Sequence, residues 1–195
     1  MCGRFEVAKA NKKLKKRFGL KLVPPSPQGT EMRPTDRILT IDSESGNVRG
    51  RLLGWGLKVD WDTRPLINAR AESLSEKPTF RALLNRRCLV PATAYFEWQR
   101  PKGGPKQKMR IHPNDQCLFA MAGLIGTDGD SVTIITCPPS PSIANIHDRM
   151  PVILHPEDEA AWIAPDVPFS DMAPKLISYA LQLSADNVDK SPALL

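Results

Sequence analysis

The sequence lacks the long hydrophobic runs of a membrane protein and the cysteine pattern of a disulfide or zinc framework. No apolar stretch approaches the length of a membrane span, and the amino terminus has no signal-peptide hydrophobic region, so we expect an intracellular protein without a membrane partner. The four cysteines lie far apart with no C-x-x-C pair, and the three histidines show no metal-ligand spacing with them. We therefore predict reduced thiols, no metal ion and no cofactor.

Proline, in contrast, is abundant. The 19 prolines among 195 residues are about twice the usual share, which argues against a helical bundle and favours a fold rich in strands and loops. An apolar fraction of 41% is ordinary for a globular protein, and the chain is long enough to bury a core of its own. Without internal repeats or linkers, the sequence predicts a single domain over residues 1–195.

Hydrophobic patterning predicts mainly strands. Apolar residues at helical spacing between Val7 and Phe18 indicate a helix, whereas residues 37–42 and 47–55 flank a Ser-Gly-Asn turn and indicate a hairpin. Further strands are predicted over 88–91, 94–99, 107–112, 117–125, 131–137 and 152–154, and short helices over 78–85, 156–163 and 174–179. The sum is a β-rich α+β domain with short peripheral helices.

The net charge of +6 favours a polyanionic partner. Part of the excess lies in the basic run from Lys12 to Arg17. That run has a second interpretation, as the solvated face of the helix whose apolar face includes Leu14 and Phe18.

The most unusual chemistry of the chain lies at Cys2. A small second residue is what methionine aminopeptidases require, so we expect Met1 to be removed and Cys2 to become a 1,2-aminothiol. Its α-amine, with an ordinary pKa of about 8, condenses with an aldehyde, and the adjacent thiol then closes a five-membered ring on the same carbon. The alternative is that Cys2 merely precedes a strand.

Two further segments place polar groups where they can carry chemistry. Asn68 and Arg70 share one face of an extended segment and could hold an oxygen and a phosphate, or Arg70 could simply pair with Glu72. Glu97 lies among aromatic residues, where loss of solvent would raise its pKa and suit it to acid–base work. The alternative for Glu97 is a strand-edge carboxylate in water.

His147 is flanked by a charged residue and follows a proline-rich loop. An ordinary pKa near neutrality allows it to shuttle protons, although a single histidine can equally be structural. A cysteine with a distant histidine also fits a thiol peptidase.

Four blocks of this sequence, in the same order, resemble the signature blocks of the SOS response-associated peptidase (SRAP) family. They are Met1–Phe5, Ile67–Glu72, Arg87–Ala92 with Tyr95–Trp98, and Ile146–Pro151. The loop Arg33–Thr35 and the closing segment Asn187–Pro192 are similar to the family as well. The blocks span nearly the whole chain, and four spaced motifs are far more specific than one short match.

The resemblance implies a barrel-like antiparallel SRAP fold that shields abasic sites in single-stranded DNA during the response to DNA damage. Cys2 would attack the C1′ aldehyde of the ring-opened sugar and end as a thiazolidine crosslink. Asn68 would orient the reacting end, Glu97 would manage protons, and His147 would assist ring opening and the lyase-like Schiff-base chemistry. The peptidase label implies removal of Met1 or of a short leader.

The resemblance also implies a DNA-binding surface. Arg4, Arg70 and Arg149 would bind phosphates, Pro34 would lie in the DNA-binding loop, and Trp61 would act as an aromatic wedge against the bases. This sequence departs from the family pattern at Arg33, Asp60 and the pair Thr93–Ala94. These departures concern the wedge and the preference for a duplex junction more than the crosslinking chemistry.

The expected protein is a monomer whose partner is single-stranded DNA containing abasic sites. It would be cytoplasmic or nucleoid-associated in a bacterium and nuclear in a eukaryote. One alternative is a thiol peptidase or autopeptidase that uses Cys2 and His147. The other is a non-covalent reader of single-stranded or modified DNA, for which the basic charge and Trp61 suffice.

Overall fold

Strands dominate the computed structural model, which describes residues 2–7, 11–25, 31–101, 103–115, 117–178 and 182–189. The strands are β1 (Phe5–Glu6), β2 (Glu31–Met32), β3 (Arg37–Glu44), β4 (Asn47–Trp55), β5 (Leu57–Val59), β6 (Asp62–Leu66), β7 (Asn68–Arg70), β8 (Arg87–Ala92), β9 (Ala94–Gln99), β10 (Gln107–Pro113), β11 (Phe119–Ile125), β12 (Ser131–Cys137), β13 (Met150–Pro151) and β14 (Leu183–Asn187). The helices are α1 (Asn11–Phe18), α2 (Pro78–Arg81), α3 (Glu159–Ile163) and α4 (Phe169–Met172), with 3₁₀ turns at Ala71–Ser73 and Ala173–Lys175.

The larger sheet closes into a ring. Its strands are hydrogen-bonded in the order β11-β8-β3-β4-β12, and β12 pairs in turn with β11. Strands β4 and β7 run parallel to β12, whereas the other pairs in this sheet are antiparallel. The predicted β-rich, barrel-like domain with few short helices is therefore confirmed, although the ring is not a formal barrel.

The smaller sheet carries the amino terminus. Its order is β14-β10-β9-β1-β2, so β1 lies between β9 and β2. The rings of Phe5 on β1 and Trp55 on β4 meet edge to face, with their centroids 5.2 Å apart and an interplanar angle of 63°. This contact joins the two sheets beneath the start of the chain.

The hairpin between β3 and β4 forms where the sequence predicted it. Its turn residues Ser45 and Gly46 have φ values of 50° and 78°, as a two-residue type I′ turn requires. Strands β8, β11 and β12 are buried at every position, which explains why their sequences are continuous apolar runs rather than alternating ones.

Some predicted elements differ from those in the structure. Residues 152–154 do not extend β13 as a strand but make a single bridge between Ile153 and Met121. The helix predicted over 156–163 begins only at Glu159, and the one predicted over 174–179 is replaced by α4 and a 3₁₀ turn that contains Pro174. Strands β5 and β6 form a further hairpin, which was not among the predicted elements. Met1, Tyr179 and residues 190–192 lie outside the described residues.

Helix α1 carries five of the 27 lysines and arginines. Leu14 and Phe18 are buried, and the lysines between Asn11 and Arg17 are exposed, as the solvated-face interpretation requires. Arg17 donates to the buried carboxylate of Glu159 over 2.6 Å, which fastens α1 to α3. None of the helices described here has the length and apolar character needed to cross a membrane.

Candidate active site

Cys2 is completely buried and comes just before β1. Its Sγ donates a weak hydrogen bond to the carbonyl oxygen of Arg4 over 3.8 Å. Burial, reinforced by the negative charge of Glu97, raises the pKa of the Cys2 thiol well above its ordinary value. The thiol is therefore neutral and protonated at physiological pH.

Asn68 binds the backbone of Cys2. Its Nδ2 donates to the Cys2 carbonyl oxygen over 2.8 Å. Asn68 begins β7, which is held parallel to β12 through its pairing with Ile134. The other side-chain atom, Oδ1, is buried and has no hydrogen-bond partner among the described residues. The amide therefore fixes the start of the chain and keeps an acceptor available beside it.

Glu97 points into the same interior from β9. It is only 3% exposed and shares a face of the strand with the fully buried Tyr95. Burial raises the pKa of the Glu97 carboxyl. Of the two interpretations of Glu97, the structure supports the buried carboxylate and contradicts the strand-edge carboxylate in water.

His147 lies beside Glu97, although 50 residues separate them in the sequence. Its Nε2 is 3.6 Å from Glu97 Oε2, and the backbone N–H of Arg149 donates to its Nδ1 over 3.0 Å. The exposed carboxylate of Asp148 also lies 2.9 Å from Nδ1. A backbone N–H can only donate, and it is held more firmly than an exposed side chain. We therefore assign the proton of the neutral ring to Nε2, which faces Glu97.

Arg149 fastens the histidine segment to the rim of the large sheet. Its guanidinium binds both carboxylate oxygens of Glu72, at 2.7 and 3.0 Å, and donates to the carbonyl oxygen of Thr136 over 2.6 Å. The sequence suggested Arg70 as the partner of Glu72, but Arg149 makes the hydrogen bonds and Arg70 contributes only a longer-range attraction. Arg149 therefore holds His147 in place while its own charge is largely neutralised.

A second ion pair lies on the outer face of the smaller sheet. Arg4 binds Glu31, which also binds Lys108. The Arg4 guanidinium lies 5.6 Å from the centre of the Trp98 ring, and Lys106 Nζ lies 5.3 Å from the same ring. Trp98 thus has several cations around it, which the sequence analysis missed. The available signal was its place in the same aromatic segment as Glu97.

The remaining predicted DNA contacts lie on other segments. Arg70 is exposed at the end of β7, one residue after the buried Ala69. Trp61 is 68% exposed at the tip of the β5–β6 hairpin. Pro34 is half-buried in the turn before β3, next to Thr35, whose φ is 77°. The structure brings Cys2, Asn68, Glu97 and His147 into one cluster. Arg70, Trp61 and Pro34 lie outside that cluster.

A cavity of about 540 Å³ opens beside this cluster. Glu97, Trp98, Lys106 and His147 line it, together with Arg100. It therefore offers acidic, basic, imidazole and aromatic groups within one depression. In the parts of the chain that the structure describes, no three His, Cys, Asp or Glu side chains converge as a metal site would require.

The fold and the cluster define a class of protein, namely a β-rich domain with a buried cysteine shortly before its first strand, clustered with an asparagine, a glutamate and a histidine. A model of the SOS response associated peptidase (SRAP) family matches residues 1–191. The chain therefore belongs to the SRAP family.

Relatives and solved structures agree with this assignment. The abasic site processing protein YoqW of Bacillus subtilis is 39% identical over 181 residues, which cover 85% of this chain and 81% of the relative. The abasic site processing protein YedK of Escherichia coli is 28% identical over 152 residues, covering 73% and 68%. A crystal structure of a protein from Bacteroides thetaiotaomicron superposes with a TM-score of 0.80 at 25% identity, covering 96% of this chain and 92% of the other.

Proposed function

We propose that this protein processes abasic sites by forming a covalent thiazolidine crosslink between Cys2 and the ring-opened sugar in single-stranded DNA. The observation that carries the proposal is the hydrogen bond from Asn68 to the Cys2 carbonyl, beside the buried pair Glu97 and His147. The names of its relatives support abasic DNA as the substrate class.

The first step is condensation of the Cys2 α-amine, which removal of Met1 sets free, with the C1′ aldehyde. The nitrogen lone pair forms a bond to C1′ and gives a carbinolamine, which then loses its hydroxyl as water to leave a C=N bond. The departing hydroxyl needs a proton. Glu97 is suited to donate it, because burial raises the pKa of its carboxyl and so increases the protonated fraction.

The second step closes the ring. The Cys2 sulfur bonds to C1′, the π electrons of the C=N bond return to nitrogen, and the thiol proton leaves. The raised pKa of the Cys2 thiol means that this proton is still present when the sulfur attacks. The Glu97 carboxylate left by the first step accepts it, so Glu97 ends in its original state. The balance is one amine, one thiol and one aldehyde giving a thiazolidine and one water.

Asn68 and His147 position these partners. Asn68 fixes the Cys2 carbonyl, and its buried Oδ1 is an acceptor for the α-amine or for a sugar hydroxyl. The Nε2–H of His147 faces Glu97 and steadies its carboxylate, and the ring assists opening of the sugar by holding Glu97 in position.

The DNA strand is proposed to cross the rim of this cluster. Arg70 is exposed and binds a phosphate. Arg4 is already bound by Glu31, and Arg149 by Glu72, so these two arginines act mainly through the positive electrostatic potential that they add to the surface. Trp98 offers an additional base-stacking surface next to the cavity, and Trp61 and Pro34 serve as the wedge and its support.

Intact mass spectrometry after incubation with an abasic single-stranded oligonucleotide tests the proposal. The expected product has the mass of protein plus oligonucleotide less one water, and it survives heating. Cys2→Ala should give no such product. The matched control Cys117→Ala, which changes an exposed cysteine, should crosslink like the unmodified protein.

The same experiment separates the alternatives. A thiol peptidase using Cys2 and His147 would give no DNA adduct but would cleave a peptide leader. A non-covalent reader would bind the oligonucleotide equally well with and without Cys2 and would leave no adduct after denaturation. Either result would replace the crosslinking proposal.

A further inference from the structure

A second cavity, of about 240 Å³, lies at the other end of the large sheet from Cys2. Arg51 in its wall donates to Gly129 in the turn before β12, whereas the candidate active site lies near Thr136, at the end of β12. A strand of that length spans on the order of 20 Å. The two cavities are therefore separate.

Four arginines line this cavity, namely Arg49, Arg51, Arg86 and Arg87. Two carboxylates face the same space. Asp42 binds Arg49 over 2.8 Å and Arg51 over 2.6 Å, and Glu44 binds Arg49. These two acids offset two of the four guanidinium charges. Among the residues that line the cavity, an excess of two positive charges therefore remains, from Arg86 and Arg87.

Arg87 is a buried cation, and no carboxylate among the described residues binds it. It is 5% exposed, and its Nη2 donates to the carbonyl oxygens of Ala164 and Val167, each over 2.7 Å. Its Nη1 has no hydrogen-bond partner among the described residues, and neither has Nε of Arg51 in the same wall. Burial lowers the pKa of Arg87, which agrees with the lack of a compensating negative charge.

Arg86 completes the cavity from the exposed side. Its Nε donates to the carbonyl oxygen of Gly126 over 3.1 Å, which orients the guanidinium. Asn85 and Ser43 add neutral polar groups to the lining. The wall thus presents guanidinium and amide donors around an excess of positive charge.

We propose that this cavity binds a phosphate-class oxyanion, either a small phosphate-bearing molecule or a phosphodiester of a nucleic acid strand. Planar guanidinium groups match the geometry of phosphate oxygens and donate more than one hydrogen bond to them. A doubly charged anion also balances the two uncompensated arginines, which a neutral ligand would not.

Isothermal titration of the whole protein with inorganic phosphate, at an ionic strength held constant with chloride, tests the proposal. We expect saturable binding with one phosphate per chain. Arg86→Gln, at an exposed position, should weaken it about tenfold, because one charged hydrogen-bonding group is removed. Arg86→Lys should weaken it less. The matched control Arg81→Gln removes an exposed charge outside the cavity and should leave phosphate binding unchanged.

A thymidylate oligonucleotide without a terminal phosphate distinguishes the two sources. Weaker binding of both probes by Arg86→Gln assigns the cavity to phosphodiesters, and weaker binding of inorganic phosphate alone assigns it to small phosphate-bearing molecules. Absence of saturable phosphate binding, or equal losses in Arg86→Gln and Arg81→Gln, would overturn the proposal. Crosslinking to abasic DNA is measured separately with the Cys2 variant, so failure of one proposal is distinguishable from failure of the other.

Discussion

Asn68 donates a hydrogen bond to the carbonyl oxygen of Cys2 across 66 residues of sequence. Asn68 is held by the pairing of β7 with β12, and Cys2 lies shortly before β1. The start of the chain is thus fastened to the large sheet as well as to the small one. Cys2, close to the start of the chain, is thus held in one orientation before any substrate arrives.

Replacing Asn68 should therefore slow crosslinking without preventing folding. Asn68→Asp removes the donor and places a carboxylate near the Cys2 carbonyl, so we expect the rate to fall by roughly 100-fold, as a misplaced reacting group does. The rate of Asn68→Ala should fall by less, because this change adds no negative charge near the Cys2 carbonyl. The measurement is the single-turnover rate on abasic DNA. Asn47→Ala, in the exposed hairpin turn, is the control, and an undiminished rate in Asn68→Asp would remove the amide from the mechanism.

A protein that keeps a blocked residue ahead of Cys2 should bind DNA with near-normal affinity but form no thiazolidine. The block turns the α-amine into an amide, which cannot form a Schiff base. The thiol, Glu97 and His147 remain in place. A denaturing gel with abasic DNA, run before and after cleavage of the leader, should show the adduct only after cleavage. Equal adduct in both lanes would show that the α-amine is not the nucleophile.

Glu97→Gln should be more stable than the unmodified protein at neutral pH while losing crosslinking activity. Because burial raises the folded-state pKa of Glu97, its contribution to stability is full below the unfolded pKa of about 4.3 and is lost as the pH rises through the higher folded value. Glutamine does not titrate, so this part of the pH dependence should vanish.

Urea denaturation between pH 4 and pH 8 measures the effect of Glu97→Gln. The difference from the unmodified protein should grow as the pH rises. Glu76→Gln, an exposed position, should show no comparable trend. A difference that stays constant over this range would mean that Glu97 is not destabilised by burial.

Arg70→Gln should weaken binding to single strands of any sequence and reduce the salt dependence. One lost phosphate contact lowers the slope of log affinity against log salt by about 0.7 for a single strand. Fluorescence anisotropy over a salt series gives the slope. Arg64→Gln is the matched control, because Arg64 is an exposed arginine that pairs with Asp62. The same slope in all three proteins would make Arg70 a structural residue.

Arg149→Gln should act mainly on stability and on the position of His147. Its side chain is 12% exposed and binds Glu72 and Thr136, so its loss should cost about 2 kcal/mol, as for hydrogen bonds to charged groups. Crosslinking should fall because the histidine segment loosens. Thermal denaturation and the crosslinking rate are the two readouts. A salt slope reduced as in Arg70→Gln, with an unchanged melting temperature, would instead assign Arg149 to DNA.

Much of the fold was predictable because its signals are local. The β3–β4 hairpin follows from a Ser-Gly turn between apolar strands, and α1 follows from the spacing of Leu14 and Phe18. The helix predicted over 174–179 was wrong in position, because the apolar spacing carried no information about packing against the rest of the domain. The β5–β6 hairpin was missed since its polar residues show little alternation.

The sequence by itself determined which chemical groups are present, above all the cysteine behind the initiator and the segments that contain Asn68, Glu97 and His147. The tertiary structure decided how each behaves. Burial, not residue type, raises the pKa of the Cys2 thiol and the Glu97 carboxyl. Pairing between distant strands brings Arg149 beside Glu72, so that the two form an ion pair. Such contacts depend on loop closure over tens of residues, and no local pattern encodes which partners will meet.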